Sequence, residues 1–239
     1  STLFPYTTLF RSLVATAVAM TLSATAHAAD STAMLKLEGT LTNEPCVGSI
    51  SGGGTVDFGT KRIAELSATD TNQLGSLDTS FTITCTAPTK MAWYINDNRT
   101  DSRAAVTVKG GFISTESSWR AETLFGVGKT AGGNKIGAYS VSLDGANSVA
   151  DGNIKKIAYA LTSEAPNYDW SKFNSTNLDL LYSNGTSAYT ISDDSFTPEA
   201  FTTATFPLRI SLAVDSTDIL AITEDTPIDG DATITMFYL

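Results

Sequence analysis

Histidine is all but missing from this sequence: the single copy among 239 residues is His27. It falls inside a stretch that reads as a removable signal, so the processed chain has no imidazole for a Ser-His-Asp or Cys-His arrangement. Cysteine is scarce as well, with only Cys46 and Cys85. Two thiols without further soft ligands argue against a metal centre. In an oxidising compartment an exported chain would join them in one bridge. Closing a loop of about 40 residues is worth roughly 4 kcal/mol in the chain-entropy picture. Positive charge is also in deficit, 15 Lys and Arg against 25 Asp and Glu, for a net charge of -10. Phosphate backbones and anionic lipid surfaces are repelled, and no nucleic-acid partner is expected. Outside the first thirty residues there are no long helix-forming runs of Ala, Leu, Glu and Lys, and no repeat of 20 to 50 residues.

The longest apolar run is short. Residues 13 to 29, LVATAVAMTLSATAHAA, contain Thr16, Thr21, Ser23 and Thr25 and end in the small-x-small pattern Ala26-His27-Ala28. A membrane span needs about 20 apolar residues, so 13 to 28 reads as a truncated signal peptide and no lipid-embedded segment is expected. Residues 2 to 12, TLFPYTTLFRS, look like translated adapter DNA, and residues 1 to 12 are kept out of the fold expectations.

What remains is rich in Thr, Ser, Gly, Val, Ile, Phe and Tyr, the composition of a β protein, and is enough for one core. Alternating segments predict strands over Met34 to Thr42, Val56 to Gly59, Phe81 to Cys85, Met91 to Ile95, Ala104 to Val108, Lys135 to Leu143, Ile154 to Leu161, Ala188 to Ile191, Phe206 to Val214 and Ala232 to Leu239. Ile63 to Leu66 and Ala200 to Ala204 are each expected to make one helical turn. Many short strands at this spacing imply a sandwich. In the last strand Ile234, Met236 and Tyr238 alternate with Thr233, Thr235 and Phe237.

No catalytic, metal-binding or cofactor-binding residue is assigned. Carboxylates pair at Asp97/Asp101, at Asp193/Asp194 and in the cluster Glu224, Asp225, Asp229, Asp231, where catalysis or a calcium site is the alternative to a turn role. Each group sits beside Gly, Pro, Asn or Ser, which favours turns. Gly126-Val127-Gly128-Lys129-Thr130 ends like a phosphate-binding loop, but Thr123 stands where the first glycine belongs, so it reads as a hairpin turn.

In order along the chain, Leu35-Lys36-Leu37-Glu38-Gly39, Cys46, Val56-Asp57-Phe58-Gly59, Phe81-Thr82-Ile83-Thr84-Cys85, Pro207 to Val214 and the terminal Met236-Phe237-Tyr238-Leu239 resemble chaperone-usher fimbrial subunits, and most closely their β-fimbrial major-subunit branch. The resemblance implies an all-β, immunoglobulin-like β-sandwich that lacks its last strand and is completed by donor-strand exchange. Residues 29 to 38 would be the donor extension, with Ala33, Leu35 and Leu37 on one side, and residues 39 to 239 the pilin domain. Ile234, Met236, Tyr238 and Leu239 would border the groove and meet the chaperone; an ordinary edge strand is the alternative. Implied partners are other pilus subunits in a homopolymer or mixed filament, a periplasmic chaperone and an outer-membrane usher, and the implied destination is a surface fimbrium for adhesion. Two departures are visible: Thr226 stands where the family has a glycine about fourteen residues from the end, with Gly230 the nearest substitute, and the chain is longer than a usual pilin. The competing expectation is an exported carbohydrate-binding module or tip adhesin, its platform drawn from Trp93, Trp119, Trp170, Tyr168 and Tyr189.

Overall fold

In the computed structural model, which describes Lys36, Glu38 and residues 46–110, 120–173 and 179–239, the chain divides into two units, Ser1–Leu41 and Thr42–Leu239. The second unit is all-β. Its strands are β1 (Cys46–Ile50), β2 (Asn72–Thr89), β3 (Met91–Asp97), β4 (Phe125–Gly126), β5 (Gly137–Leu143), β6 (Val149–Ala150), β7 (Asn153–Ile154), β8 (Lys156–Leu161), β9 (Ser171–Lys172), β10 (Ser187–Ser192), β11 (Phe201–Val214) and β12 (Ala232–Tyr238). They form two antiparallel sheets. One runs β1-β2-β11-β5-β4, with β6 and β7 attached to β11, and the other runs β12-β3-β10-β8-β9.

The sheets meet through side chains selected by the two-residue alternation. On β3, Met91, Trp93 and Ile95 point inward, while Tyr94 and Asn96 lie on the outer face and stay partly exposed. Trp93 is the hub: its ring lies 5.2 Å from Phe81 on β2, 5.3 Å from Phe206 on β11 and 5.3 Å from Tyr189 on β10. Rings from both sheets therefore interlock as in a β-sandwich, each such pair contributing about 0.5–1.5 kcal/mol beyond its buried area. The expected cysteine bridge is present, and Cys46 and Cys85 stand directly opposite in the β1–β2 ladder.

Several expectations are corrected. Val56 to Gly59 is not a strand: Asp57 Oδ1 accepts the Gly59 amide at 2.7 Å and Gly59 turns to a φ of +66°, closing a local turn instead of a ladder. Ala104 to Val108 is not a continuous strand: the chain bends at Ala105 and Val108 alone makes a β-bridge, with Ala104, Val106 and Val108 buried; the Ala104 amide donates to the Gly137 carbonyl at 3.0 Å, and the Gln73 side-chain amide donates to the Thr107 carbonyl at 2.7 Å and accepts from the Lys109 amide at 3.0 Å. Ala200 to Ala204 is not helical but opens β11, which the ladder to β2 holds extended from Phe201. Pro207 is tolerated inside β11 because it falls between two partners, β6 opposite Ala204 and Thr205 and β5 from Leu208 onward. Ile63–Glu65 does make one turn, of 3-10 helix.

Candidate functional site

The ends of the described sandwich come to lie at neighbouring edges. Among the described residues β1 pairs only with β2 and β12 only with β3, so each strand leaves one side of its backbone outside the sheet ladder. Between them runs an apolar cleft. Its nearer part, about 360 Å³, is walled by Ile50 and Val56 on one side and by Ala232 and Ile234 on the other, and its floor includes Ile95, Val141, Leu208 and Ile210. These floor residues belong to the interior of the sandwich: Ile95, Val141 and Leu208 are buried and Ile210 is partly so. Past Phe58 and Ile228 the cleft opens into a second chamber of about 820 Å³, walled by Leu66, Leu74, Ile136, Val214, Leu220 and Ile222.

Each wall follows from local sequence. After Ile50, Gly52 and Gly53 adopt left-handed φ values of +67° and +70°, which carry the chain away from β2 and leave Val56 and Phe58 on the rim. The opposite wall is held by Asp229, whose amide donates to the Val127 carbonyl at 2.9 Å and whose carboxylate pairs with Arg99. Gly230, the substitute for the expected glycine, packs so closely on Tyr139 that an added Cβ would lie 2.9 Å from the ring. Tyr139 stacks on Phe125 at 4.9 Å, and burial, reinforced by Asp97 and Asp231, drives its phenol well above the ordinary value of 10.

The sequence candidates separate clearly. Ile234 lines the cleft, and Met236 packs at its narrow end, over Gly48. Tyr238 and Leu239 continue past it and are exposed. Ala33, Leu35 and Leu37, the signal segment and Trp119 lie outside the described residues. Of the expected aromatic platform, Trp93 and Tyr189 belong to the core, where the inward side of their strands places them, and only Tyr168 and Trp170 come together on the outside, 5.4 Å apart. Periodicity does not mark the second chamber, because Leu66, Leu74, Leu220 and Ile222 come from a loop, the start of β2, the four-residue helix Thr217–Leu220 and the loop after it.

The paired acids work as turn and ion-pair groups. Asp97 accepts the amides of Arg99 at 2.8 Å and Gly126 at 3.0 Å, and Asp101 pairs with Lys129 at 2.8 Å. Asp193 accepts the amides of Ser195 and Thr197, and Asp194 pairs with Lys156. Among the described residues no group of three or more His, Cys, Asp or Glu is placed to hold a metal ion, and no helix is long and apolar enough to cross a membrane.

Comparison with known proteins places the chain among relatives of similar length. A family model described as "Protein of unknown function (DUF1120)" matches residues 35–140. "Uncharacterized protein YhcF" of Escherichia coli K12 is 28% identical over 213 residues, covering 84% of this chain and 87% of that protein. "Protein GltF" of the same organism is 30% identical over 256 aligned positions, covering 96% of this chain and 98% of GltF. With that identity across nearly the full length of both proteins, the chain belongs to the GltF family.

Proposed function

We propose that this chain is an exported structural subunit of a chaperone-usher pilus, an incomplete immunoglobulin-like sandwich that polymerises by accepting a strand from a neighbouring copy. The observation that carries the proposal is the apolar cleft between β1 and β12, which reaches the sandwich interior between two strands that are each half-paired among the described residues. An extended segment laid there would find backbone donors and acceptors on both sides and apolar side-chain positions beneath. Residues 29 to 38 provide such a segment, with Ala33, Leu35 and Leu37 spaced to face one side. Burying the two leucines contributes about 3–6 kcal/mol before any backbone pairing is counted.

A cleft of this kind cannot stay open to water, so a periplasmic chaperone holds it until an outer-membrane usher replaces the chaperone with the next subunit's extension. The disulfide between Cys46 and Cys85 suits an oxidising route to the cell surface. Deleting residues 29 to 38 and co-expressing the product with its cognate chaperone tests the assignment. The expected result is a stable chaperone complex that forms no polymer; polymers of unchanged length would overturn it.

A further inference from the structure

A second recess lies on the opposite face of the β3–β12 pair, away from the cleft between the sheets. Thr235 stands opposite Tyr94 in that ladder, and Phe237 follows on the same outer face. The loop after β8 crosses this face: although β10 and β3 separate β8 from β12, the Tyr168 ring reaches to 5.5 Å from Phe237. Tyr94 lies 6.2 Å from Phe237, and Trp170 lies 5.4 Å from Tyr168. The rings are tilted to one another by 33° to 44°, so they form a concave wall, not a flat stack.

Tyr94, Tyr168 and Phe237, with Trp170 packed behind Tyr168, line a recess of about 510 Å³ together with Asn96, Asn184 and Thr235. Its size falls in the range of small-ligand sites, roughly 300–1,000 Å³. Asn184 is oriented from behind, its Oδ1 accepting the Thr186 hydroxyl at 2.7 Å. On a protein of net charge -10, no Lys, Arg, Asp or Glu among the described residues lines this recess.

We infer that the recess binds a short neutral oligosaccharide. Apolar C–H faces of a pyranose ring fit against aromatic rings, and its hydroxyls, each both donor and acceptor, match amide side chains that offer both kinds of group. An ionic ligand finds no counter-charge among the described lining residues. A polyproline peptide would use the rings but presents only carbonyl acceptors, leaving the acceptor oxygen of Asn96 unmatched, while that of Asn184 is already held by Thr186. The inference does not depend on strand exchange, since the recess and the cleft lie on opposite faces of β12.

The test is a titration of the full chain with lactose, N-acetyllactosamine, chitotriose, maltotriose and cellotriose, followed by intrinsic tryptophan fluorescence and calorimetry, with decaproline as the competing probe. At least one sugar is expected to saturate with a Kd of about 1 mM or tighter. Asn96→Ala and Tyr168→Ala are each expected to weaken it about tenfold or more at unchanged circular dichroism. Tyr168→Phe, which keeps the loop packed, is expected to retain binding. Absence of saturation by every sugar, equal affinity in Asn96→Ala, or saturation by decaproline instead would overturn the inference.

Discussion

A β-carbon added to Gly48 on β1 would lie 2.9 Å from the Met236 sulfur on β12 and equally close to the Phe81 ring. The two edge strands thus touch through a side chain at one end of the cleft, although no ladder among the described residues joins them. Met236 can swing aside, whereas Phe81 is locked between Trp93 and Phe206. Gly48→Val is therefore expected to destabilise the fold by about 1–3 kcal/mol, the usual cost of overpacking, read as a lower urea midpoint at constant slope. An unchanged midpoint would show that β1 stands too far from β12 for the added side chain to meet Met236.

Cys46 and Cys85 pin β1 to β2 beside the same seam. Replacing both with Ala is expected to lower stability by about 2–4 kcal/mol. Urea unfolding of the variant and of the parent under reducing agent should give matching midpoints. The first opening in hydrogen exchange is expected at β1, which among the described residues holds to the sheet by the β2 ladder alone.

Arg209 and Asp78 face each other across β11 and β2, with guanidinium-to-carboxylate bonds of 2.7 Å and 3.0 Å. Hydrogen bonding from Arg209 holds the Asp78 carboxyl below its ordinary value of 3.8. A carboxyl lowered on folding adds stability above its unfolded value, and that stability is lost as pH falls through the lower folded value. Because the pair is largely exposed, Asp78→Asn is expected to cost no more than about 0.2–1 kcal/mol at neutral pH. The difference between variant and parent should shrink as the pH is taken below about 3.9.

Tyr139 and Tyr189 titrate in the other direction, since burial raises both phenols far above 10. Below about pH 10 both are neutral whether folded or unfolded, so nothing is lost there. Above it the unfolded chain ionises first, and stability falls as pH rises toward the folded values. Spectrophotometric titration is expected to show these two tyrosines ionising only together with unfolding, and Tyr139→Phe should unfold at higher pH than the parent.

Much of the sandwich can be read from the chain. Alternation marks β3, where Tyr94 and Asn96 stay partly exposed between buried neighbours, and it marks β12, which is partly buried along most of its length; β5 and β10 are buried at nearly every residue and are read from their strand-forming composition. The first half of β2 escapes that reading: Asn72 to Ser80 is polar and contains Gly75, and it becomes a strand because β11 pairs along its length. Val56 to Gly59 fails the opposite way, carrying strand residues but pairing with no strand among the described residues. The cleft is legible only in part. Ile234 and Met236 show an alternating edge, but the proximity of Cys46–Ile50 to Ala232–Tyr238 is a product of topology that no local pattern encodes. The outer recess is hidden for the same reason, its rings coming from β3, β12 and the loop after β8.

Passage of a strand from one copy into the cleft of another can be measured by mixing two variants, each with a single added cysteine: Leu37→Cys in one, and Ile234→Cys or Ile50→Cys in the other. Under mild oxidation a covalent dimer between the two variants is expected, with none from either variant alone. If no mixed dimer forms, while a chain carrying both added cysteines closes a bridge on itself, the cleft is filled by its own extension and the pilus-subunit account is contradicted.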